Sequence, residues 1–354
     1  MTDVDFVRTT LEEFVRIPSS ADVGPSNILR AATSVLDRIG LQPRVHDDAK
    51  AVEASSGTGG VLLNGHLDTV PLASGWTKDQ GVWEGDWLYG RGAADMKAGC
   101  VAALAAARGL VECGVPVSVL LTTDEETSMA GSKALASLPI VRDASAVVVL
   151  EPSSLRVIAS EKGILWFRAT TRGRSAHGSL PQLGDNAIHR MTRALTRLEP
   201  YAHPRDALSE VTVNIGQIHG GVAPNVVADA CSAELDCRHP PSVTRAQVEA
   251  LLQDAFKQAG ETVLLELTQD VPAAGVPFDA PHVRLLGEIA GTEVVGVTYA
   301  TEMAWYAAHN PRCVVFGPGE TARIHVPDER VSLRETVRAA DVLVEYAQRL
   351  PELR

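Results

Sequence analysis

Apolar residues recur at helical spacing from Asp5 to Arg16, where Phe6, Leu11, Phe14 and Val15 fall on one side. A second helix is predicted from Ser26 to Ile39, closed by Gly40. Short strands follow around Arg44–His46 and Gly60–Leu63. The alanine-rich run from Cys100 to Leu110 reads as a helix. Val117–Thr123 and Ala146–Leu150 are apolar without alternation, the pattern of strands buried on both faces. Helices thus alternate with apolar strands up to Glu151, which predicts an α/β sandwich with helices on both faces of its sheet.

Beyond that point the pattern changes. Ile164–Arg172 alternates like a half-exposed strand, and Asp185–Leu198 reads as an amphipathic helix. Glu210–Ile218 and Val226–Cys237 alternate again, Thr244–Gln258 is helical, and Thr262–Leu267 is a strand. Strand–helix–strand–strand–helix–strand is the ferredoxin-like order. An inserted α+β domain is therefore expected at 161–270, within a catalytic domain formed by 1–160 and 271–354. The chain resumes near Val271 and ends on a helix from Leu333 to Arg349.

Acidic and histidine residues gather at the ends of these runs. Val61 to Leu67 leads into His66 and Asp68, two residues apart, so strand geometry lets them meet on one face. A carboxylate there can fix the imidazole tautomer, as a metal ligand requires. Asp95 follows the glycine-rich turn Gly90-Arg91-Gly92 and precedes the alanine-rich helix; an N-cap is its bland alternative. Asp124-Glu125-Glu126 ends one apolar strand, Glu151 ends another, and His325 opens a last polar cluster, His325-Val326-Pro327-Asp328-Glu329. Adjacent carboxylates repel unless they are solvated or held by a cation. Parallel strands align their carboxyl ends, which brings such residues together. Two His, one Asp and two Glu form a borderline-hard donor set suited to zinc, cobalt or manganese. One bridging carboxylate with two further ligands per ion is the layout of a two-metal hydrolase.

Over nearly its whole length the chain resembles the zinc-dependent amidohydrolases that include acetylornithine deacetylase, succinyl-diaminopimelate desuccinylase, aminoacylase and glutamate carboxypeptidase. His66 to Pro71 matches the family's His-x-Asp-x-Val-Pro, and Gly92 to Gly99 matches Gly-x-x-Asp-Met-Lys-x-Gly. Glu125-Glu126 matches its paired acids. The resemblance implies that Asp95 bridges two metal ions, zinc or cobalt. His66 and Glu151 would complete one site, and Glu126 and His325 the other. Glu125 would be the general base, and Asp68 would hold His66. It also implies that the inserted domain is a lid and dimerisation domain. His177, in Gly173–Ser179, would then reach the partner subunit's site to stabilise an oxyanion. Asn225 matches the family's substrate-contacting asparagine, and Arg238, in Asp236-Cys237-Arg238, is a candidate for a substrate carboxylate.

Composition narrows the function. A net charge of −12 argues against a nucleic-acid partner. Arg108, Glu112 and Pro116 interrupt the most apolar stretch, so no membrane span is expected. The N-terminus is acidic and reads as no signal peptide. Five cysteines without a close pair suit a reducing cytoplasm, with Cys100 and Cys113 read as small core residues. His46, His189, His203, His239, His282 and His309 are read as surface residues.

The substrate is expected to be a small N-acyl amino acid. Thr298 to Trp305 resembles the Thr-Glu-Ala segment of the deacetylases, which points to N-acetyl-L-ornithine, although Met303 stands where Ala is usual. Glu302 is a candidate for the substrate's side-chain cation, or alternatively a helix cap. A desuccinylase, a carrier-protein-linked lysine or ornithine hydrolase and a dipeptidase remain open. So does a non-catalytic binding relative, which would have no need of Glu125.

Overall fold

The computed structural model describes residues 2–353. The chain divides into two compact units. One comprises Met1–Ser160, Gly275–Gly296 and Thr301–Arg354; the other comprises Glu161–Ala274 and Val297–Ala300.

The first unit is built around the strands Val117–Thr122, Val61–His66, Val147–Val149 and Cys313–Val315, adjacent in that order in a mixed sheet. Val61–His66 runs parallel to both of its neighbours, and Val147–Val149 runs parallel to Cys313–Val315. Every residue of these four strands is buried, as their unbroken apolar sequences require. Ala51–Ser55, which lacks such a run, pairs antiparallel with Val117–Thr122 and was not foreseen.

The helix Ala98–Glu112 belongs to the same core, where Cys100 through Leu104 are fully buried and Ala105 through Ala107 nearly so. A helix apolar on nearly all sides is stable only when surrounded. The helices Val4–Arg16 and Leu333–Arg349 pack against it. Its close seating depends on Gly99, where a Cβ would overlap the carbonyl oxygen of Leu150. That approach brings the turn Ala93–Lys97 beside Glu151.

The second unit holds a four-stranded antiparallel sheet in the order Thr212–Gly220, Ala230–His239, Gly163–Arg172, Leu264–Val271. The helices Ala187–Thr196 and Arg245–Gln258 complete the ferredoxin-like arrangement. Leu165, Phe167 and Ala169 alternate inward onto Met191, Leu252 and Phe256, while Trp166 on the opposite face is 43% exposed. Thr244 opens the second helix with a reciprocal cap to Gln247.

Several expectations are corrected. Cys113 is exposed, because the helix ends at Glu112 and releases the chain to solvent. His239 and His282 are buried: His239 Nδ1 lies 2.7 Å from the Val243 carbonyl, and His282 lies on the inner side of the helix Pro281–Ala290. Asp95 is no helix cap. It lies inside the turn before the helix, whose N-cap position is Lys97.

Candidate metal centre

The carboxyl ends of the parallel strands deliver His66 and Glu151 to one place, and the turn before the Ala98–Glu112 helix adds Asp95. His66 Nε2 lies 3.4 Å from Asp95 Oδ1 and 3.4 Å from Glu151 Oε1. A second group forms on the other carboxylate oxygen: His325 Nε2 is 3.2 Å from Asp95 Oδ2 and 3.0 Å from Glu126 Oε1. Within each group the ligand-type atoms lie within 4.8 Å of one another. Asp95 is common to both and offers one oxygen to each. Glu125 is close by, with Oε2 3.9 Å from His66 Nε2.

Asp68 organises one side of this cluster. Its Oδ1 lies 3.4 Å from His66 Nδ1 and accepts from the peptide N–H of Glu125 at 3.3 Å. Its Oδ2 accepts from the N–H of Glu126 at 3.1 Å. The backbone carbonyl of Asp68 also lies 3.1 Å from His66 Nδ1. With only acceptors around it, Nδ1 carries the ring proton, and the lone pair of Nε2 faces two carboxylates.

The donor set fits divalent cations. His66 Nε2 is buried and has no hydrogen-bond partner, and the atoms around it are carboxylate oxygens. So many acceptors turned toward one another need a positive charge between them. Electrostatics agree. Burial opposes charge on His66, yet Glu151, Asp68 and Asp95 outweigh it and hold its pKa well above the usual range. Asp95 and Glu126 raise His325 to about 10. Burial lifts Glu125 well above an ordinary carboxylate, with Glu151, Glu126 and Asp95 adding repulsion, and it lifts Glu151 to about 8.

Three further site candidates lie in the second unit. His177 is exposed, and its Nδ1 accepts from the N–H of Ser179 at 3.1 Å. That leaves Nε2 as the protonated nitrogen, a donor to solvent. The loop is held against Asn225, whose carbonyl accepts from Gly178 N at 2.7 Å. Arg238 is already engaged: Nε and Nη2 bind Asp236 Oδ1 and Oδ2 at 2.8 and 3.0 Å.

Glu302 departs from expectation. It is 0% exposed, and its Oε1 accepts from Thr122 Oγ1 at 2.6 Å. Its other oxygen is buried without a partner, and it makes no side-chain cap to the helix Met303–Tyr306. A side chain enclosed behind a buried strand does not present its charge to a substrate. Burial raises its pKa to about 7. Two residues of this region had been given no role. Arg91 and Glu329 form a buried pair, Nη1 to Oε2 at 2.6 Å, and Glu329 also binds the backbone of Asp95. Their only signal was position, inside the glycine-rich turn and at the end of the histidine cluster.

The family model for Peptidase family M20/M25/M40 matches residues 62–349. The chain belongs to this family. An acetylornithine deacetylase of Pectobacterium carotovorum is 34% identical over 296 residues, 78% of this chain and 77% of that protein. One from Aliivibrio salmonicida is 30% identical over 340 residues, 88% of each. Among solved structures, an aminopeptidase of Bacillus cereus superposes with a TM-score of 0.81 at 20% identity, covering 99% of both chains. An M20 family metallo-carboxypeptidase of Sulfolobus solfataricus gives a TM-score of 0.79 at 17% identity, over 97% of this chain and 99% of that one. Such M20 neighbours share the fold. The protein is a hydrolase of the M20 family with a group of His, Asp and Glu side chains arranged to hold metal. Among the described residues, no helix is long and apolar enough to cross a membrane.

Proposed function

We propose that the protein hydrolyses the amide of an N-acyl amino acid with the help of two zinc ions, and that its substrate is N-acetyl-L-ornithine. L-Ornithine and acetate are then the products, and arginine biosynthesis is the setting. The observation that carries the metal reading is the Asp95 carboxylate, which places one oxygen in each ligand group. The substrate rests on relatives named acetylornithine deacetylase at 30–34% identity.

His66, Asp95 and Glu151 hold one ion, and Asp95, Glu126 and His325 the other. Bound there, divalent cations polarise the amide carbonyl and acidify water. Glu125 takes the proton from the attacking water and delivers it to the departing nitrogen. Its environment suits the task, because burial raises its pKa and makes it a stronger base than an exposed carboxylate. Asp68 fixes the His66 ring and both peptide N–H groups of the acidic pair.

The second unit acts as a lid and as the surface for a homodimer. Its edge strand Thr212–Gly220 leaves most residues exposed, with Ile215 at 41% and Ile218 at 49%. An open strand edge bearing apolar side chains favours pairing with a second copy. His177 then donates from Nε2 to the developing oxyanion in the partner's site, and Asn225 contacts substrate. Arg238 takes the substrate carboxylate only by sharing its guanidinium with Asp236. Five free cysteines, four of them buried, suit a reducing cytoplasm.

The test is hydrolysis of N-acetyl-L-ornithine, N-succinyl-diaminopimelate, N-acetylmethionine and a dipeptide, with metal content measured in parallel. Acetylornithine should give the highest kcat/KM. Chelation should abolish turnover, and about two zinc ions per chain should restore it. A clear preference for another substrate replaces the ornithine assignment. Full activity without metal removes the mechanism.

A further inference from the structure

Glu329 and Arg91 belong to neither ligand group, yet both are enclosed beside Asp95. Glu329 is 0% exposed and its carboxylate is fully committed. Oε1 accepts from the peptide N–H of Ala94 at 2.9 Å and of Asp95 at 3.1 Å. Oε2 accepts from Arg91 Nη1 at 2.6 Å. Arg91 is held in turn, with its guanidinium over the Trp76 ring at 5.4 Å from the centroid and its own N–H bound to Gln80. The loop is anchored on both sides. One residue earlier, Asp328 accepts from the peptide N–H groups of Thr77 and Lys78, and Gly90 N donates to the Glu329 carbonyl.

A buried ion pair adds little stability over an apolar pair of the same volume, because both charges lose their water. What this pair supplies is direction: two hydrogen bonds to a charged acceptor orient the peptide that carries Asp95. The same five-residue stretch, 325–329, contributes His325 to one ligand group. We infer that Glu329, held by Arg91, is a positioning residue that sets the shared carboxylate of Asp95, and through it both metal sites at once. This rests on the metal reading above.

The inference predicts a pattern that a single-ligand change does not produce. Loss of His325 touches one group, whereas a displaced Asp95 loosens both. Zinc titration calorimetry on metal-free protein reads the difference, with circular dichroism and the Tm of the metal-free form reporting the fold. Glu329→Ala should weaken both binding events by about 10–100-fold, the usual effect of losing a partner that orients a ligand. Glu329→Gln keeps an acceptor for the two peptide N–H groups but turns an amide NH2 or an uncharged oxygen toward Arg91. It should also weaken both events, and adding Arg91→Met should recover part of the loss because no buried cation is then left unpaired. A folded Glu329→Ala protein with wild-type affinity for both ions overturns the inference, as does a loss confined to one ion. If the alanine variant does not fold, unchanged binding in Glu329→Gln overturns it equally. Wild-type protein that takes up no metal overturns the site reading too, whereas wild-type protein with two ions beside an indifferent variant overturns this inference alone.

Discussion

Asp68→Asn tests the site through the residue that ties most of it together. The aspartate meets three donors: His66 Nδ1 at 3.4 Å, Glu125 N at 3.3 Å and Glu126 N at 3.1 Å. It is 3% exposed, so water does not replace a lost contact. Asparagine has the same shape but one acceptor oxygen. Its amide NH2 must face a peptide N–H or the imidazole N–H, donor against donor. At least one hydrogen bond to a charge is lost, worth about 1.5–3 kcal/mol. The His66 ring and the Glu125–Glu126 backbone are then free to turn away from the metal positions. Expressed fully in the transition state, that loss lowers kcat/KM by about one to two powers of ten. The assay is kcat/KM for N-acetyl-L-ornithine at saturating zinc, with zinc affinity measured on the same preparation. Wild-type kcat/KM together with wild-type affinity would refute the reasoning, since it would mean that these three contacts do not hold the site.

Three other outcomes are expected. Glu125→Gln should retain its metal and lower kcat by about two to four powers of ten, the scale of a lost general base; near-full activity would remove Glu125 from that role. Inactive Glu125→Gln chains mixed with inactive His177→Ala chains should regain part of the activity after proven subunit exchange, and no recovery would place His177 outside the partner's site. Burial, with a smaller contribution from Arg312, pushes His282 from the usual 6.5 down to about 4. Its neutral form is favoured in the fold, so the stability it contributes is complete above pH 6.5 and is lost as pH falls through 4. That amounts to roughly 3 kcal/mol at most, and His282→Gln should flatten the urea-measured stability curve over this range. An unchanged slope would sink the assignment.

The sequence by itself determined the elements and the kinds of residue at their ends. Unbroken apolar runs at Val117–Thr122 and Val147–Val149 marked strands covered on both faces, and the alternation in Gly163–Arg172 marked one covered on a single face. Both patterns are local, because burial acts on each residue according to the face it occupies. His66, Asp95, Glu125, Glu126, Glu151 and His325 stood out for the same local reason, as charges or imidazoles placed where apolar segments stop.

Tertiary structure decided what those residues meet. No spacing in the chain states that Asp95 turns one oxygen to His66 and the other to His325, more than two hundred residues further on. Nor does it state that Asp68 binds the acidic pair, or that Glu329 binds the backbone at Asp95. The burial of Glu302 against Thr122 and the pairing of Arg238 with Asp236 likewise follow from packing and strand geometry. A charged residue's type is written in the sequence, but its role depends on which polar groups remain nearby once water has been excluded, and only the folded chain fixes that.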